Sequence, residues 1–107
     1  MTFDDINARR YYPSVIKSFH DKRTAALFLG NKLKGVDISI QQRARMRLLQ
    51  IDAATCLDDL RNPPSNRLER KKGKLKHLHC LRVNSQWRIC FEWKAGDAHE
   101  VRLIDYH

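Results

Sequence analysis

Nowhere among the 107 residues does an apolar run approach the ~20 residues needed to span a bilayer. The N-terminus carries Asp4, Asp5, Arg9 and Arg10 where a signal peptide would have its apolar core, so a cytoplasmic protein without membrane contact is expected. Cysteine is scarce: Cys56, Cys80 and Cys90 are odd in number and lack any CxxC spacing. Free thiols in a reducing compartment, with mostly a core role, are the natural reading. There is no internal repeat and no long low-complexity segment, and the length suits one domain with a single modest core. Acid is nearly missing from one stretch, Arg61 to Arg82, where Glu69 alone stands against eight basic residues.

Those eight are Arg61, Arg67, Arg70, Lys71, Lys72, Lys74, Lys76 and Arg82, and they place a net +7 of the chain's +9 in this one segment. A surface shaped only for solubility would mix its signs. The block therefore predicts a face that binds a polyanion, with Arg67, Arg70, Lys71, Lys74, Lys76 and Arg82 as RNA-binding candidates.

Periodicity predicts the elements. Residues 1–14 have no clean period and read as a tail or a loosely docked arm. Val15 to Phe19 is the first strand candidate. Asp21 can cap a short helix, Lys22 to Leu29, which Gly30 ends. Asp37 or Ser39 starts a second helix, with Gln42 in capping-box spacing from Ser39, and Ile40, Ala44, Leu48 and Ile51 form its apolar stripe. Arg43, Arg45 and Arg47 lie mostly off that stripe and read as a solvated face, with direct nucleic-acid contact as the alternative. Thr55 to Arg61 can add a helical turn or two before Asn62-Pro63-Pro64-Ser65-Asn66 ends helical structure.

Beyond this point the period becomes two. Arg67 to Lys72, Leu78 to Val83, Trp87 to Trp93 and Ala98 to Ile104 are strand candidates joined by connections too short for crossovers, so they form an antiparallel meander. The expectation is an α+β domain over residues 15–107: an N-terminal strand and two helices packed on one face of a mostly antiparallel sheet, whose concave other face stays open.

The best core strand is Trp87 to Trp93. Trp87, Ile89, Phe91 and Trp93 share one face, and Arg88, Cys90 and Glu92 share the other. Arg88 is thus held out on the face opposite the aromatic anchors. The final strand leads directly into Asp105-Tyr106-His107, which adds an acid, a phenol and an imidazole. Cleavage of RNA by its own 2′-hydroxyl needs a base, an acid and cations to hold charge on the phosphate, and it requires no metal. His77, His79 and Cys80 do not share one strand face, so packing is favoured over metal ligation.

The combination Asn66-Arg67-Leu68-Glu69, Lys72-Gly73, Asn84-Ser85-Gln86-Trp87-Arg88-Ile89-Cys90-Phe91 and terminal Asp105-Tyr106-His107 resembles the HigB toxins of the RelE/ParE toxin–antitoxin superfamily. Ile16 to Phe19, Asp21 to Phe28 and Asp52 to Thr55 extend the resemblance upstream. It implies a RelE-like fold and a cofactor-free, ribosome-dependent endoribonuclease that cuts mRNA in the ribosomal A site. It also implies a HigA-like helix-turn-helix antitoxin, through which alone the toxin would meet operator DNA.

On the same resemblance, Arg88 matches the arginine that stabilises the scissile phosphate and Lys72 a basic residue of that site. Asp105, Tyr106 and His107 match C-terminal residues needed for activity, His107 as acid or base and Tyr106 for base stacking or proton transfer. Two departures stand out. Glu69 occupies the place of a histidine found in some members, where it can serve as a base or simply pair with a cation, and Lys74-Leu75 replaces a common Asp-Arg. Relatives commonly begin Met-Ile-Lys-Ser-Phe, which makes Val15 a candidate alternative start. The competing expectations are a ParE-like inhibitor of gyrase and a binding module of this fold with impaired catalysis.

Overall fold

The computed structural model describes residues 14–106; the predicted tail before Ser14, and His107, lie outside the described residues. Helix α1 (Lys22–Phe28) begins where the Asp21 carboxylate accepts from the Thr24 amide at 2.7 Å and from its hydroxyl at 2.8 Å. Gly30, at φ +91°, turns the chain away after it. Helix α2 (Ile38–Ala53) takes Asp37 as its cap, through the Ser39 amide and hydroxyl, so the alternative start at Ser39 is not used. Gln41, buried, then ties down the α1–α2 connection by bonding Leu33 and Val36 backbone groups.

Four antiparallel strands follow in the spatial order of the chain: β1 (Glu69–Arg70), β2 (His79–Arg82), β3 (Trp87–Lys94) and β4 (Asp97–Asp105). The Val15 to Phe19 segment runs parallel to β4 through bridges at Ile16–Ala98 and Phe19–Val101, which makes the sheet mostly antiparallel, as expected. Ser14 is buried, and the Asp52 carboxylate of α2 accepts from its hydroxyl and from the amides of Val15 and Ile16. One helix carboxylate thus anchors the incoming chain.

The core lies between the helices and one sheet face. Ala44, Leu48 and Ile51 meet Leu81, Ile89, Phe91 and Val101, all essentially inaccessible to solvent. Full burial of each large side chain stabilises the fold by ~1.5–3 kcal/mol. Trp87 and Trp93 pack at the margins of this cluster. No helix among the described residues is long and apolar enough to cross a membrane.

Three expectations are corrected here. The strand predicted over Arg67 to Lys72 shrinks to two residues, because Arg67 adopts a left-handed conformation (φ +46°) and Gly73–Leu75 forms a 3-10 turn. The proline-rich segment does not end helical structure, since Pro64–Asn66 makes a further 3-10 turn. The three arginines of α2 are not uniformly a solvated face: Arg43 is exposed as expected, Arg45 is half-buried and Arg47 is buried. Arg47 donates Nε to the Arg82 carbonyl at 2.9 Å, Arg43 reaches the Val83 carbonyl, and Arg45 reaches that of Phe28. A long guanidinium stem can lie along apolar surface while its head serves backbone carbonyls on a neighbouring element.

Candidate active site

Strand alternation turns Arg88 away from the Ile89 and Phe91 side of β3, and the register sets it directly opposite Arg82 of β2 and Ile104 of β4. One step along the same face stand Glu69, Cys80, Cys90 and Arg102, each opposite the next across the four strands. The β2–β3 connection is built on Asn84, whose side-chain carbonyl accepts from the amides of Gln86 and Trp87 at 2.9 and 2.7 Å. That turn presents the Asn84 main-chain carbonyl to Arg88.

Arg88 is accordingly less open than its strand face suggested. Its side chain is 11% exposed, and Nη1 donates to the carbonyls of Asn84 and Trp87. The rest of the fork faces the site: Nε lies 3.8 Å from Glu69 Oε1, and the guanidinium carbon lies 5.0 Å from the centre of the Tyr106 ring. Lys71 brings Nζ to 3.3 Å from the same ring. Two cations over one phenol ring fix that ring electrostatically. Tyr106 is tied down further by its amide, which donates to the Gln86 carbonyl, and the Gln86 side chain donates to the Asp105 carboxylate at 3.2 Å.

Glu69, Arg70, Lys71, Lys72, Leu75 and Tyr106 line an open cavity of ≈ 470 Å³ beside this cluster. The structure thus brings together Arg88, Glu69, Lys71 and Tyr106 and puts Lys72 on the cavity wall, while Asp105 pairs in register with Trp87 and meets Gln86 rather than Arg88. Arg70 lines the same cavity while donating Nε to the Lys76 carbonyl at 2.7 Å, which closes the loop that carries the lysines. Arg67, Lys74 and Lys76 are exposed and do not line this cavity. Chemically, a rigid guanidinium with open donors, a carboxylate beside it and a phenol over it can hold an anionic tetrahedral group and exchange a proton with it.

Cys80 and Cys90 form a disulfide, which corrects the expectation of free thiols. Register is the reason: the two residues are directly opposed, with Cα atoms 4.1 Å apart. With Leu78 and Ile104 they make a small apolar cluster on the Arg88 face, so that face is partly filled. Cys56 is free and exposed. His79 stacks on Phe91 at 6.1 Å, and burial, with the Arg70 charge adding, pushes its imidazole below the ordinary histidine value. No cluster of three His, Cys, Asp or Glu suited to a metal occurs among the described residues.

Sequence reading missed Arg102 as a residue of this face, and it missed the backbone contacts, though not the residues, of Arg43 and Arg47. Arg102 shares the Arg88 face, and the alternation that put Val101 and Leu103 inward was enough to find it. Arg43 and Arg47 needed the tertiary contact between α2 and the β2–β3 turn, of which the sequence carries no local signal.

Over residues 17–107 the chain matches the family model described as a RelE-like toxin of the type II toxin–antitoxin system HigB. It is 40% identical over 81 residues to the Toxin HigB-1 of Vibrio cholerae serotype O1, covering 75% of this chain and 85% of that protein. It is also 34% identical over 93 residues to the Endoribonuclease HigB of Proteus vulgaris, covering 87% of this chain and all of that one.

Proposed function

The chain belongs to the RelE-like HigB toxin family of type II toxin–antitoxin systems, and we propose that it acts as a ribosome-dependent endoribonuclease that cuts mRNA and so arrests translation. The observation that carries the reading is the Arg88 fork, held by two backbone carbonyls, with Glu69 and Tyr106 around it. A similar activity is named for the Proteus vulgaris relative.

In this reaction the 2′-oxygen bonds to phosphorus and the bond to the 5′-oxygen breaks, leaving a cyclic phosphate and a free 5′-hydroxyl. Glu69 takes the 2′-proton. Arg88 donates to the non-bridging oxygens, where charge grows as the phosphorus becomes five-coordinate. Because its geometry is already set by Asn84 and Trp87, little reorganisation accompanies the reaction. Tyr106 lies over the same guanidinium and either stacks on a base or passes a proton, and His107 is the acid for the departing 5′-oxygen. Asp105 orients this terminus through Gln86. Lys71 and Lys72 hold adjacent phosphates, and Arg67, Arg70, Lys74, Lys76 and Arg82 supply longer-range attraction.

Action in the ribosomal A site places the protein in the cytoplasm. A HigA-like helix-turn-helix antitoxin is the partner we propose for silencing it, with operator DNA reached only through that partner. Primer extension on mRNA from cells expressing the protein tests the reading. Cleavage at defined codons that vanishes with Arg88→Ala supports it, whereas growth arrest with intact mRNA and broken DNA points to gyrase and overturns it.

A further inference from the structure

A second group of arginines meets the β2–β3 connection from α2, where Arg47 and Arg43 donate to the Arg82 and Val83 carbonyls. Arg43, Arg47 and Arg82, with Ser65 and the Asn84–Ser85 turn, line a cavity of ≈ 450 Å³. It adjoins a second cavity of ≈ 470 Å³ that shares Arg43, Arg47 and Ser65 and runs on along α2 past Met46 and Gln50. Arg47 is buried, yet among the described residues none of the three arginines forms an ion pair with a carboxylate. Burial, with the like charge of Arg43 adding, pushes the Arg47 guanidinium below the ordinary arginine value. Arg43 is exposed and Arg82 half-buried, so the cost of desolvation without a counter-ion falls on Arg47, and an anion entering from solvent would offset it.

The donors suit such an anion. A guanidinium has five N–H groups; Arg47 engages Nε with the Arg82 carbonyl and Arg43 engages Nη1 with that of Val83, which leaves a fork on each. The two bonds hold the arginines in place rather than saturating them.

We propose that Arg43, Arg47 and Arg82 form a second phosphate-binding pocket, which takes a backbone phosphate of the same single-stranded RNA that Arg88 engages. The proposal rests on the ribonuclease reading above. A phosphodiester is favoured over a protein carboxylate by continuity. Arg82 stands directly opposite Arg88 on one face, and Asn84 both lines the pocket and holds Arg88 by its carbonyl. An anion that repeats along a chain fits two cationic sites set side by side, and the arginine fork matches phosphate oxygens in pairs. The pocket would fix the strand to one side of the scissile bond.

The test is the binding of a labelled, uncleavable 2′-O-methyl oligoribonucleotide to the full chain across a salt series, for wild type, Arg43→Gln, Arg82→Gln and the double variant. Arg82→Gln keeps every hydrogen bond described above, so it isolates charge from folding. Each lost contact should lower the log–log salt slope by ~0.7, and the double variant should bind about tenfold more weakly at low salt. An unchanged slope and affinity in Arg82→Gln and the double variant overturns the pocket. So does a lowered melting temperature in Arg43→Gln with binding intact, which would make that arginine a structural pin only. Weakened binding of the antitoxin with RNA binding intact would mark a carboxylate receptor instead and overturns it too. Ribosomal mRNA cleavage by Arg88→Ala, measured alongside, reports on the ribonuclease reading separately: if that variant still cuts, the reading fails whatever the pocket does.

Discussion

Arg88 Nε stands 3.8 Å from the Glu69 carboxylate, while Nη1 of the same fork is engaged by the carbonyls of Asn84 and Trp87. The pair joins the longest basic run in the chain to its best core strand, and it sets the order in which substitutions should matter.

Arg88→Ala should lower mRNA cleavage by at least about 100-fold, the scale of one lost donor to a developing oxyanion. Arg88→Lys should fail almost as badly, because an ammonium cannot hold two carbonyls and a phosphate with one planar fork. The alanine variant should also lose about 1–3 kcal/mol of stability, since the Asn84 carbonyl loses a charged donor, whereas the Trp87 carbonyl keeps the Val83 and Asn84 amides. Cleavage assays paired with denaturant melts check both outcomes.

Glu69→Gln separates a base from a bystander. If the carboxylate takes the 2′-proton, the glutamine variant loses about 10²–10⁴ in cleavage rate while its RNA binding stays intact. An unchanged cleavage rate in Glu69→Gln would leave Glu69 as an ion-pair partner of Arg88 and nothing more. At half exposure such a pair contributes ~0–1 kcal/mol.

How much of this was legible in the sequence follows the range of each interaction. The helix caps at Asp21 and Asp37, the inward faces of β3 and β4 and the meander order are local, and the period and turn residues specify them. The disulfide required the register of β2 against β3, which alternation predicts only to within a slip of two residues. Arg88 was found as an outward strand residue, but its covered state depends on Asn84 folding the turn back toward it. Arg43 and Arg47 look like solvent-facing cations in a helical repeat. Only the approach of the β2–β3 turn to α2 gives them carbonyls to bind.

The Cys80–Cys90 bond closes a loop of sequence separation 10, for which chain entropy gives about 3 kcal/mol of stabilisation. Reduction should lower the melting temperature, and the folded, unreduced protein should react with a thiol reagent at Cys56 alone. Three reactive thiols in unreduced, unfolded protein would contradict the bond.

His79 links stability to pH. Burial lowers its folded-state pKa below the ordinary value of 6.5, so the unfolded chain takes up the proton first. Its contribution to stability is therefore lost as pH falls from about 6.5 towards the lower folded-state value. His79→Phe keeps an aromatic ring on Phe91 and should flatten that part of the melting-temperature profile, whereas an equally steep profile would assign the effect to other groups.

The most direct test of the central claim is cleavage of a defined mRNA in a purified system, with and without programmed ribosomes, by the wild-type chain and by Arg88→Ala. The account predicts cuts at A-site codons only when ribosomes and Arg88 are both present. Equal cleavage by the alanine variant, or none by wild type on a translating ribosome, would contradict it.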